Sequence, residues 1–273
     1  MTSDHHPLPL LRVDGLTLAS DAHTIVKELT FTLRAGEMLG IVGESGSGKS
    51  MTAYAIAGLL PREVLVTSGS IMLDSRSLLS LSHAERRMLA GRRIGMVLQD
   101  RRSSFNPVRT IGSILIESIV RHRAMPTSEA RALAMQALTG VRLLESKLID
   151  AYPHQLSGGQ LQRAMIALAR LNDPVLLIAD EPTTALDPIV QLQILSLLRA
   201  SAVDRGVVLI THDLHVAAAV CDQLIVMHRG ECIEQGPARQ VIDSPEHTYT
   251  RQWLASARLL SSGAPLLRSV SAL

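Results

Sequence analysis

The chain has 273 residues, with 27 basic against 25 acidic side chains and a net charge of +2. Hydrophobic residues make up 47% of it, yet only six are aromatic: Phe31, Tyr54, Phe105, Tyr152, Tyr249 and Trp253. Such a chain is too apolar to be disordered, is long enough for one or two domains, must build an aliphatic core, and lacks the rings and charge excess of a nucleic-acid binder.

Cys221 and Cys232 are the only cysteines, too few for a disulfide scaffold and consistent with a reducing compartment. No apolar run approaches the roughly 20 residues that span a bilayer, and residues 1–10 are polar rather than leader-like. A soluble cytoplasmic protein is expected, one that works at a membrane only by docking onto an embedded partner. Lysine occurs only at positions 27, 49 and 147, the other basic residues being arginine, so a lysine at a motif position stands out.

Residues 10–42 alternate apolar and polar side chains and predict a small antiparallel sheet. Within them, residues 38–42 form a short apolar strand that runs into a glycine-rich loop, and residues 50–60 read as the following helix. A charged helical pattern covers 83–93 and a strand covers 94–98. From 111 to 170 the spacing is helical, with several alanines. Strands return at 175–179, 207–210 and 223–227, separated by helices at 188–201 and 214–221. Strands alternating with helices predict an α/β fold with a mostly parallel core sheet, and the block at 105–170 reads as an inserted helical subdomain. The tail from 244 is predicted irregular, its last dozen residues mobile. Between Glu85 and Arg131 ten arginines face four acids, most readily a solvated face.

Gly43-Glu44-Ser45-Gly46-Ser47-Gly48-Lys49-Ser50 matches G-x-x-x-x-G-K-[ST] at every fixed position. Glycines let the backbone wrap so that N–H groups point at phosphate oxygens, and the next helix adds its positive end. Lys49 can reach the β- and γ-phosphates, and the Ser50 hydroxyl can ligate Mg²⁺. These residues predict binding of a nucleoside triphosphate. Residues 175–181 form a buried strand ending in Asp180 and Glu181, the first suited to hold Mg²⁺ and the second to act as general base on the attacking water. Leu156-Ser157-Gly158-Gly159-Gln160, just before a helix, is a second anion site.

Phosphate loop, Gln99 after a strand, Leu156–Gln160, Asp180-Glu181, Ala185-Leu186-Asp187 and His212 in Thr211-His212-Asp213 stand in the order of ABC transporter ATPases, which the chain resembles over roughly residues 10–250. The resemblance implies a P-loop NTPase of ABC type spanning residues 1–250, with a short C-terminal extension at 244–273. It implies a head-to-tail pair of ATPase subunits with two ATP molecules at the interface. Ser157, Gly158, Gly159 and Gln160 would meet the partner's ATP in trans. Gln99 would sense Mg²⁺ and water, His212 would hold the γ-phosphate and orient Glu181, and Asp187 would couple the two sites.

Three stretches resemble the peptide and nickel importers of that family: the loop at 43–52, the Phe105-Asn106-Pro107 that follows Gln99, and Ser244–Thr250, similar to "P-x-H-P-Y-T" with Thr248 for the proline. The short tail without a cysteine cluster places nickel or a metal chelate ahead of dipeptides and oligopeptides. The resemblance also implies a second, different ATPase subunit, two transmembrane permease subunits and a solute-binding protein, with this chain on the cytoplasmic face of the membrane. Phe105 and its neighbours are expected to meet the membrane subunits. A non-transport cassette of a phosphonate-degrading complex is the alternative class.

One departure concerns adenine. The family's stacking aromatic aligns with Ser20 or a neighbour, and His23 is the only nearby ring, which predicts a looser grip on the base. Neither His5 and His6 nor Cys221 and Cys232 have the partners of a metal site, and His154 reads as a loop hydrogen-bonding group.

Overall fold

Alternate side chains from residue 11 to residue 33 point inward, and the resulting strands close on each other. In the computed structural model, which describes residues 9–261 except 22 and 102, β1 (Leu11–Ser20) pairs antiparallel with β2 (Thr24–Leu33). Leu11, Val13, Leu16 and Leu18 of β1 and Val26 and Leu29 of β2 are fully buried. On its other side β1 pairs antiparallel with β4 (Val64–Leu73), which adds the two-residue β5 (Arg76–Ser77). β4 does not announce itself in the sequence, because its exposed centre, Thr67-Ser68-Gly69, hides the alternation.

The strand at 38–42 does not belong to this antiparallel sheet. All six residues of β3 (Met38–Gly43) are buried, and such a strand needs partners on both edges and cover on both faces. It lies parallel to β8 (Gly206–Thr211) and to β9 (Gln223–His228). β10 (Glu231–Pro237) then returns antiparallel to β9. Arg229 and Gly230, both at positive φ, make the two-residue hairpin turn whose twist suits such a pair. β10 is mostly polar and half exposed, so its pattern alone does not mark a strand.

The chain divides into two units. The first comprises residues 1–80 and 202–273 and holds the elements just described, together with α1 (Lys49–Ala57), α7 (Leu214–Val220), α8 (Ala238–Asp243) and α9 (Thr248–Ser261). The second, residues 81–201, contains the parallel pair β6 (Ile94–Val97) and β7 (Leu176–Asp180) and the helices α2 (His83–Leu89), α3 (Ile111–Arg123), α4 (Thr127–Gly140), α5 (Gly158–Arg170) and α6 (Pro188–Ser201). The helical block at 105–170 falls wholly inside this second unit.

Helix starts follow local chemistry. Ser82 and Glu85 form a reciprocal capping box for α2, and Thr110 accepts the Ser113 N–H at the start of α3. Arginines of the basic segment are partly spent on ion pairs: Arg109 and Arg121 with Glu117, Arg123 with Asp173, Arg131 with Asp150. The arginines, Arg109 first, hold the Glu117 carboxyl below the usual range.

The tail is more ordered than its composition predicts, because residues from Thr248 onward form α9 with Thr250 and Leu254 buried. His5, His6 and the last dozen residues lie outside the described residues. Phe105 corrects another expectation: at 2% exposure it is core and cannot offer its ring to a partner. Val108 of that segment is exposed instead, at 78%.

Candidate functional site

In the first unit three strands deliver chemistry at one end. Val42 pairs with Thr211, and Gly43 pairs with Met227. Thus the phosphate loop, His212 and His228 all leave β3, β8 and β9 at their carboxyl ends, where open α/β sheets bind ligands. A side chain at Gly43 is excluded: its Cβ would come within 2.2 Å of the Met227 carbonyl oxygen and 2.6 Å of Ser47 Oγ. Gly48 has φ +99° and would press a Cβ against Ile25 O at 2.9 Å.

Gly48 is also the N-cap of α1 and has no side chain with which to occupy the first-turn N–H groups, so the positive end of α1 faces the loop. Glu44, Ser45 and Gly46 are exposed, while Ser47, Gly48 and Lys49 are buried. The Lys49 ammonium donates to the carbonyls of Gly43 at 2.8 Å and Glu44 at 2.7 Å. Those bonds hold the cation at the mouth of the loop. His212 is exposed at the end of β8, and Asp213 caps α7 by accepting the N–H groups of His215 and Val216.

In the second unit β6 and β7 run parallel with Val97 opposite Ala179, so Gln99 and Glu181 each emerge two residues past the paired positions. Asp180 is fully buried at the end of β7. Glu181 sits at φ +48°, a left-handed conformation costly for a residue with a Cβ, and such strain clusters at functional positions. Thr184 Oγ1 donates to Glu181 Oε2 at 3.0 Å and fixes the carboxylate's orientation. Sequence reasoning does not single out Thr184; its spacing of three from Glu181 in a tight turn is the signal that could mark it.

Leu156–Gln160 adds a feature that its motif does not announce. The Gln160 N–H donates to Ser157 Oγ at 3.2 Å and the Ser157 N–H donates to Gln160 Oε1 at 2.9 Å. Serine and glutamine of the motif therefore form a capping box that opens α5. The Ser157 hydroxyl accepts in this box, which leaves its O–H to donate to a phosphate. The Gln160 amide oxygen is committed to the cap.

A Cβ at Gly158 would make only ordinary contact, with Leu186 Cδ2 at 3.9 Å, whereas one at Gly159 would meet Val190 at 2.8 Å. Gln99, Leu156, Gly158 and Ala185 line one cleft of about 700 Å³. Asp187 accepts the N–H of Val190 at 3.0 Å and thereby caps α6. His154 is exposed and stacks on Tyr152, with ring centroids 5.7 Å apart.

Among the described residues β1 carries no aromatic side chain. The Ser20 N–H donates to the His23 carbonyl in a tight turn, and Phe31 is buried in the core. Cys221 is buried and Cys232 half-buried, both as free thiols, and burial raises the Cys232 pKa.

An apolar strand, a glycine loop around a buried lysine and a helix with no side-chain cap define a P-loop nucleotide-binding protein. The ABC transporter family model matches residues 26–184. The chain is 45% identical over 261 residues to the oligopeptide transport ATP-binding protein OppD of Salmonella typhimurium, which covers 94% of this chain and 77% of that one. It is 42% identical over 266 residues to the glutathione import ATP-binding protein GsiA of Escherichia coli K12, covering 93% of this chain and 43% of that one. A dimeric ATP-binding cassette solved in a post-hydrolysis state with ADP and phosphate superposes with a TM-score of 0.75 at 29% identity, covering 84% of this chain and 99% of the other. The chain belongs to the ABC transporter family of ATP-binding subunits. No helix among the described residues is long and apolar enough to cross a membrane.

Proposed function

We propose that this chain is the ATP-hydrolysing subunit of an ABC importer for oligopeptides or other short peptides. The observation that carries the substrate class is the 45% identity to an oligopeptide transport subunit over 94% of this chain. Glutathione, carried by the GsiA system, is itself a short peptide. Peptides thus move ahead of the nickel or metal chelate to which the short tail pointed. In such an importer a solute-binding protein and two transmembrane permease subunits select the cargo. This chain and a second, different ATPase subunit then power it from the cytoplasmic face.

Each residue has a role that follows from its chemistry. Residues 43–50 cradle the phosphates of ATP, with Lys49 countering their charge. Mg²⁺ takes hard oxygen ligands, and Ser50, Gln99 and Asp180 supply a hydroxyl, an amide oxygen and a carboxylate of that kind. When bound, the ion neutralises charge on the β- and γ-phosphates. Glu181, oriented by Thr184, accepts the proton of the attacking water, and His212 hydrogen-bonds the γ-phosphate. Ser157 donates its hydroxyl to the ATP of the partner subunit, and the Gly158 and Gly159 backbone approaches it closely. Asp187 sets the start of α6 beside that contact.

Uptake of a labelled oligopeptide and of nickel, measured in a strain lacking this chain, tests the reading. Lost peptide uptake with intact nickel uptake is expected. Intact peptide uptake with lost nickel uptake restores the metal reading, and loss of neither favours a non-transport cassette.

A further inference from the structure

Helix α5 packs most of its length into the second unit, and it takes one charge with it: Arg163, in its second turn, is only 9% exposed. Among the described residues no carboxylate pairs with that side chain. Its guanidinium donates instead to two neutral oxygens from two other helices. One nitrogen reaches the carbonyl of Val141, the C-cap of α4, at 2.9 Å, and another reaches Gln193 Oε1 in the second turn of α6. A cation suits the negative end of α4, but a buried charge without a counter-ion is costly where an apolar side chain could fill the space. What the guanidinium adds is direction, because its planar fork of donors fixes where both oxygens must lie.

A second contact joins the same two helices one turn nearer their starts. Gly159 approaches Val190 so closely that a Cβ there would come within 2.8 Å of it. Gly159 and Arg163 are four residues apart on α5, and Val190 and Gln193 are three apart on α6, so the two contacts are successive rungs. The upper rung is van der Waals packing, which sets a distance. The lower is a charge-assisted hydrogen bond, which also sets an orientation. At the helix starts stand Ser157, which caps α5, and Asp187, which accepts the Val190 N–H and caps α6.

We propose that Arg163 is a positioning residue for the ATP contact in trans: through Gln193 it locks α6 to α5, so that Ser157, Gly159 and Asp187 face the partner subunit as one rigid edge. The inference rests on the reading that residues 157–160 meet the partner's ATP. Arg163 acts only through those residues.

Three measurements test it together: ATP hydrolysis by the complex purified through a tag on this chain, equilibrium MgATP binding to the isolated full-length chain, and chemical denaturation. Gln193→Leu removes the lower rung and leaves the Arg163 bond to Val141 in place. It should lower kcat of the complex about 10- to 100-fold, the scale of a small misplacement of groups around a reacting centre. ATP binding to the isolated chain, a contact in cis, should stay within about twofold of wild type. Arg163→Met should lower kcat to the same degree, with a lower denaturation midpoint because the Val141 carbonyl loses its donor. Where that variant does not fold, Gln193→Leu decides alone. The double variant should lose no more kcat than either single one, since both break one bond. Gln193→Glu gives the guanidinium a carboxylate oxygen in place of the amide oxygen and should keep kcat within about twofold of wild type.

An unchanged kcat in Gln193→Leu overturns the inference, as do losses that multiply in the double variant. Weaker ATP binding in parallel with the fall in kcat assigns the pair to folding and also overturns it. Ser157→Ala is the control for the underlying reading. If the complex with that substitution hydrolyses ATP like wild type, the contact in trans is itself wrong, an outcome distinct from one confined to Arg163 and Gln193.

Discussion

The loops at 43–50 and 156–160 look alike as sequence, each rich in serine and glycine and each opening a helix, but they are built on opposite principles. Gly48 leaves the positive end of α1 without a side-chain cap, and neither Gly43 nor Gly48 has room for a Cβ. Ser157 and Gln160 instead satisfy one another at the start of α5, and Gly158, unlike Gly159, has room for a Cβ, which would make only ordinary contact with Leu186 at 3.9 Å. One loop is unfinished by itself and awaits an anion in cis. The other is finished by itself and offers a single hydroxyl proton outward. The difference suits the proposed division between a subunit's own ATP site and a contact made to its partner's ATP.

The largest effect lies outside both loops and calibrates them. Glu181→Gln should slow ATP hydrolysis about 100- to 10,000-fold, the range for losing a general base, while equilibrium ATP binding persists. Lys49→Ala should weaken ATP binding about 100-fold, the cost of removing a charge-assisted partner of phosphate; in a direct binding assay Ser157→Ala should leave the isolated chain's affinity unchanged.

Two glycine substitutions then separate the loops by stability. Gly48→Ala forces a Cβ into φ +99° and onto Ile25 O, and should destabilise the fold by about 1–3 kcal/mol in chemical denaturation. Gly158→Ala has space and joins a helix, so its midpoint should hold or rise, by at most about 1 kcal/mol. Equal losses at the two positions would erase the contrast between the loops.

Ser157 allows a finer dissection. Ser157→Ala should cost about 1 kcal/mol through the cap and also reduce hydrolysis by the assembled pair. Ser157→Asp keeps a good cap but has no proton to donate at neutral pH, so stability should recover while hydrolysis does not.

The smallest effect is a pH slope. Tyr249 is raised from 10.0 to about 12 in the fold, so between those values the folded chain binds the extra proton. Stability from this group is therefore full below about pH 10 and falls as pH rises toward about 12. Denaturation at several alkaline pH values should show that slope, flatter in Tyr249→Phe.

The residues of the candidate site are legible in the sequence because their chemistry is local. A strand, a loop and one helical turn fit within some fifteen residues, and Gly43 to Ser50 or Leu156 to Gln160 keep their spacing wherever they lie in a fold. Helices at 188–201 and 214–221 are legible for the same reason. Strand β10 and helix α9 are not, since polar β10 exists as the hairpin partner of β9 and α9 is fastened through Glu234. Phe105 shows the limit most plainly: its motif position points to a partner surface, and packing puts it in the core.

By itself, then, the sequence determined the reactive groups and their order: the lysine and serine of the phosphate loop, the carboxylates at 180 and 181, the serine-glycine helix start and the histidine at 212. Tertiary structure alone decided that β3 lies between β8 and β9, that Ser157 accepts inside its own cap while keeping a proton to give, that Thr184 aims Glu181, and that the Tyr249 ring packs on His228. The reason is range. Spacing along the chain dictates which groups can act within one turn or loop, whereas burial, strand pairing and long-range hydrogen bonds depend on partners that sequence order does not bring together.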